Sequence, residues 1–196
     1  MSSIALWYTA RATGVISAVL LTIVVALGIA SRSGRSAFGL PRFAVALVHR
    51  NAALLAVVTL VIHIVTLMLD SYAKVHVTDL LVPFVGSYRP LWQGLGTVGL
   101  ELLVALIVTS LLRNRLPERI WRGVHWLAYI CWPVAFAHAL GNGTDSGTAW
   151  MHAIAAGSAF TVFAAICWRI APHFAEHSKV RRPLSRPQAP ALGRTR

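Results

Sequence analysis

The sequence predicts an all-α fold: a polytopic membrane helix bundle of five transmembrane helices, with the N-terminus out and the C-terminus in. Three observations lead there. Of 196 residues, 57% are hydrophobic and only 12% charged, more apolar surface than a soluble chain of this length could hide. The apolar residues gather into five segments of about 20 residues, the length a helix needs to cross a bilayer. The formal charge of +12 is unevenly spread. On this topology Arg11, Lys74 and Arg89 lie outside or near the outer face and the other fifteen of the eighteen basic residues lie inside, as the positive-inside rule requires. Cations placed between apolar segments are not a nucleic-acid surface, which would gather them on one folded face.

Segment one runs from Leu6 to Ala30 and ends at SRSGRSAFGLPR, where Arg32, Arg35 and Arg42 place the loop inside. The N-terminus lacks the basic start and cleavage pattern of a signal peptide, so this segment is expected to stay. Segment two, Arg42 to Leu69, runs outward and leaves Asp70, Tyr72, Lys74, His76 and Asp79 outside. The connector to Gly94 mixes apolar and polar residues and reads as a short helix at the outer interface, held by Tyr88 and Trp92. Segment three, Gly94 to Leu112, returns to the arginine-rich loop RNRLPERIWR. Segment four, Ile120 to Leu140, runs outward to the polar, glycine-rich turn GNGTDSGT. Segment five, Ala149 to Ala171, comes back in. Residues 1–172 thus form one membrane domain, and 173–196, rich in proline and arginine, form a disordered basic tail near the anionic inner leaflet.

Segments two and four each carry two histidines, His49 with His63 and His125 with His138. Ionisable groups inside a membrane are costly and mark functional paths, and neutral imidazole is an axial ligand of haem iron. His49 and His63 are fourteen residues apart, which returns them to within about 40° of one face at depths about 21 Å apart. Because both segments run outward, His49 and His125 lie near the inner face and His63 and His138 near the outer. That topology pairs His49 with His125 and His63 with His138, each pair suited to one haem. Two protein imidazoles fill both axial positions, so such a centre moves electrons. Helix four is awkward, because thirteen residues leave His138 about 140° around an ideal helix from His125. Pro133 lies between them and clashes with the carbonyl of Tyr129, so an irregular turn is predicted between Tyr129 and Pro133. The competing reading makes the four histidines structural, hydrogen-bonded between helices, in a non-redox membrane anchor or assembly subunit. A third is a small proton-coupled transporter using Glu101 and the histidines.

The His pairs, with WYTARATGVISAVLLT, DLLVPFVGSYRPLWQGLG, RGVHWLAY and HALGNGTDSGTAWMH, make residues 5–171 resemble the ferric reductase-like transmembrane domain family. That family includes the membrane parts of ferric reductases and NADPH oxidases and the haem-binding subunit of the bacterial methionine sulfoxide reductase system. The resemblance implies a membrane cytochrome b holding two b-type haems, one near each face, in a multi-pass protein of the plasma membrane, bacterial in type. Flavin and nicotinamide domains would follow the last helix, where about 25 residues remain. The chain is therefore expected not to oxidise NADPH alone. Its donor is expected to be a separate flavoprotein, a quinol, or a flavin at the inner face, and its acceptor ferric iron or an outer reductase subunit.

Arg11 near the outer face, and Arg50 and Arg122 near the inner one, are either partners of haem propionates or flanking cations that snorkel to headgroups. Trp132 falls between His125 and His138 and either lies between the two macrocycles or packs the core. Glu101 reads as a neutral carboxyl between helices or as a proton relay. GLGTVG at Gly94 to Gly99 matches a dinucleotide fingerprint but opens a membrane helix with no strand before it, so helix packing explains it better. Cys131 and Cys167 fall in apolar segments without metal spacing and read as packing residues.

Overall fold

The computed structural model describes residues 3–33, 36, 37, 39–71, 73 and 75–171. The expectations for Arg35, Tyr72, Lys74 and the tail 173–196 concern residues outside this set. Every regular element among the described residues is a helix: α1 (Ser3–Ser33), α2 (Arg42–Leu69), α3 (Val77–Leu81), α4 (Pro90–Leu111), α5 (Glu118–His125), α6 (Ala128–Asn142) and α7 (Ala149–Ile170). Four of them, α1, α2, α4 and α7, are long and apolar enough to cross a membrane.

The expected fourth span is divided. Its apolar run continues, but the backbone breaks at Trp126 and Leu127, between α5 and α6. Leu127, Tyr129 and Ile130 donate to carbonyls three residues back, at Val124, Trp126 and Leu127, over 2.9 to 3.1 Å, the bonding of a 3₁₀ turn. The irregularity therefore lies mostly before the predicted interval, and Pro133 itself stands inside α6. The proline removes one amide and crowds the Tyr129 carbonyl; the chain tightens on the N-terminal side of that carbonyl.

The helices associate as two close pairs. α1 packs along α2, and α4 along α6, with α6 and α7 both touching α1. A short loop makes α1 and α2 antiparallel neighbours. Their seam is built of small residues, with Ala10, Ala30 and Ala56 buried, so van der Waals packing brings the backbones close. The hydroxyls along α1 bond back to their own helix, Thr13 to the Thr9 carbonyl at 2.7 Å and Ser17 to that of Thr13 at 2.7 Å. No polar group there needs water. Large apolar side chains such as Leu54, Val58 and Leu69 on α2 and Phe160 and Phe163 on α7 are exposed, which suits lipid as the surrounding medium.

At the end of the bundle that carries α3 the connectors are fastened to it. α3 is the short helix expected there; Thr97 of α4 donates to the Asp79 carbonyl at 2.6 Å. Arg89, in the left-handed region at φ 43°, donates to the Gly141 carbonyl at 2.8 Å. Arg11 on α1 holds the α6–α7 turn through an ion pair with Asp145, its Nε donating at 2.8 Å.

Candidate functional site

His63 and His138 line one largely apolar cavity at the end of the bundle that carries α3 and lie within electrostatic reach of each other. His49 and His125 are likewise within reach towards the opposite end. The tight turn before α6 is what allows this. About four residues wound at ~120° in place of ~100° reduce the His125-to-His138 offset from about 140° to about 60°.

Three of the imidazoles are held in the same way. Nδ1 of His63 bonds the Ala10 carbonyl at 2.7 Å, Nδ1 of His49 the Val24 carbonyl at 2.9 Å, and Nδ1 of His138 the Trp92 carbonyl at 2.7 Å. A carbonyl only accepts, so Nδ1 carries the hydrogen in each, and the neutral ring then presents a bare lone pair on Nε2. This is how ligating histidines are oriented and made more basic.

A glycine faces each of these rings. A Cβ on Gly14 would stand 2.9 Å from His63, one on Gly28 3.3 Å from His49, and one on Gly96 2.6 Å from His138. Without side chains there, each ring comes close to the neighbouring helix and reaches its carbonyl. The spacing is matched: Gly14 to Gly28, Ala10 to Val24 and His49 to His63 are each fourteen residues apart. Sequence reasoning missed these glycines on α1. Their common interval is the signal, legible only once α1 and α2 are known to be antiparallel partners.

His125 differs. Its Nδ1 is buried without a hydrogen-bond partner, and the ring stacks on Trp121, centroids 5.0 Å apart and planes 21° from parallel. Nε1 of Trp121 and Nε of Arg122 are also buried without partners. Three nitrogens on one short helix thus lack hydrogen-bond partners.

The remaining predicted residues are dispersed. Arg11 lines the outer cavity but is engaged by Asp145 and lies over the Trp7 ring, 4.1 Å from its centroid. Arg122 pairs with Glu118 through one amino group. Arg50 is exposed in the N-terminal third of α2. Trp132 does not line the outer cavity. Its indole donates to Thr22 Oγ1 at 2.9 Å and its ring stacks on Phe136. Thr22 lies between Gly14 and Gly28 on α1, so Trp132 stands at a depth between the two histidine pairs. Glu101 is exposed and does not line the cavity.

Among the described residues no group of three or more His, Cys, Asp and Glu side chains converges on one point. Comparison with known proteins gives one match: the family model described as ferric reductase like transmembrane component, over residues 13–136. That range includes His49, His63 and His125 and ends two residues before His138. No curated protein and no solved structure matches the chain.

Proposed function

The chain belongs to the ferric reductase-like transmembrane family, and we propose that within it the protein is a membrane cytochrome b with two bis-histidine haem b sites. His49 and His125 would hold the inner group and His63 and His138 the outer. The observation that carries this reading is the shared hold on three imidazoles, each with Nδ1–H on a carbonyl and a glycine beneath the ring. A histidine that only bridged helices would need neither a bare inward Nε2 nor a cleared wall. When bound, haem supplies a one-electron iron couple that the chain itself lacks.

The protein's part is orientation, insulation and charge. Ala10, Val24 and Trp92 fix three ring planes through their carbonyls. The apolar cavity wall excludes water from the outer pair, and two imidazoles at a site would suit a haem that carries electrons rather than one that binds substrate. At the inner pair the unpartnered nitrogens of Trp121 and Arg122 suit a carboxylate, as a propionate would provide. At the outer pair Arg11 is already shared with Asp145, so a propionate there would join an existing ion pair. Trp132, bonded to Thr22 between the two levels, packs the region through which electrons pass from one pair to the other.

In this reading α5 and α6 together make the fourth of five crossings, with the N-terminus out and the C-terminus in, and the membrane is the plasma membrane. Electrons enter at the inner pair from a separate flavoprotein or a quinol and leave at the outer pair to ferric iron or a reductase subunit. Glu101, exposed and not lining the cavity, does not favour a proton path between helices. Haem assay of the purified full-length chain tests the reading: two haem b per chain are expected, and none would overturn it.

A further inference from the structure

The four candidate ligands are not equivalent. His49, His63 and His138 sit inside continuous helices, each with a carbonyl acceptor and a facing glycine. His125 ends α5, at the irregular turn. Its Nδ1 is buried without a partner, and no described glycine faces its ring.

Around it stand His49 and the guanidiniums of Arg32 and Arg113, whose charges reach the ring, with Trp121 and Arg122 on its own helix. None of them is hydrogen-bonded to Nδ1. The haem's own carboxylates do not repair this, because Nδ1 of an axial imidazole lies on the far side of its ring from the iron. Loss of a ligand's outer hydrogen bond weakens metal affinity by about 10–100-fold.

We propose that His125 is the exchangeable ligand, so that the inner centre, unlike the outer, opens to a small neutral ligand of ferrous iron. The proposal rests on the bis-histidine reading above. Carbon monoxide is the probe. The iron–Nε2 bond breaks and an iron–carbon bond forms, with no net electron transfer, and the released ring swings with the end of α5.

The test uses full-length protein reduced with dithionite and exposed to carbon monoxide, read by difference absorbance. One haem of the two is expected to bind it, and the band is expected to persist in a His63→Ala, His138→Ala variant that has lost the outer haem. Trp121→Gln, one turn before His125, supplies an acceptor for Nδ1–H and is expected to weaken carbon monoxide binding about tenfold. No uptake by the wild type, uptake lost together with the outer haem, or unchanged affinity in Trp121→Gln would each overturn the proposal. A protein with two low-spin haems inert to carbon monoxide contradicts this inference alone. A protein without haem contradicts the cytochrome reading as well.

Discussion

Gly14 and His63 are fitted to each other: a Cβ on the glycine would stand 2.9 Å from Cε1 and 3.0 Å from Nδ1 of the imidazole, whose Nδ1–H reaches the Ala10 carbonyl at 2.7 Å. The glycine and the carbonyl are one turn apart on α1 and act together, one clearing space and the other fixing the ring. Gly96 and Trp92, four residues apart on α4, do the same for His138.

Alanine at Gly14 or Gly96 should therefore push the facing ring off its carbonyl. The expected cost is about 1–3 kcal/mol of stability, with weakened haem retention at the outer site. Gly28→Ala should be milder, since its Cβ would meet His49 at 3.3 Å. Gly157, with open space at its Cβ, should tolerate alanine or gain slightly from helix propensity. Thermal unfolding in detergent and haem content after purification check all four.

Asp145→Asn should loosen the α6–α7 turn from α1. Both partners are partly exposed, at 27% for Arg11 and 16% for Asp145, so the loss should be about 1 kcal/mol. Exchanging the two residues should restore part of it. A double-mutant cycle with zero coupling energy would show that the pair does not hold the turn.

Much of the bundle is legible in the sequence. The α2 boundaries follow from Pro41 before the apolar run and Asp70 after it. The division of the fourth segment does not, because the apolar pattern runs unbroken through Trp126 and Leu127, while Pro133 fixes that relief is needed but not where. The four histidines stand out in the sequence because they fall inside apolar segments. Their supports do not: Ala10, Val24 and Trp92 contribute only backbone carbonyls, which any residue would supply. Asp145 sits in a turn that reads as ordinary polar loop, and its partner lies 134 residues away.

The arginine-rich loops require that a C-terminal reporter be cytoplasmic and an N-terminal one external. Reporters on the same side of the membrane would mean that α5 and α6 do not together cross the bilayer.

If electrons come from a separate donor, NADPH added alone should leave the haems oxidised while dithionite reduces them. Stopped-flow absorbance decides it, and rapid reduction by NADPH without added protein or flavin would contradict the account.

The central claim is that four histidines make two centres, and reduced-minus-oxidised spectroscopy with redox titration of the single variants tests it most directly. His49→Ala and His125→Ala should each remove or shift the same component of the titration, and His63→Ala and His138→Ala the other. Two unaltered haem components in all four variants would contradict it.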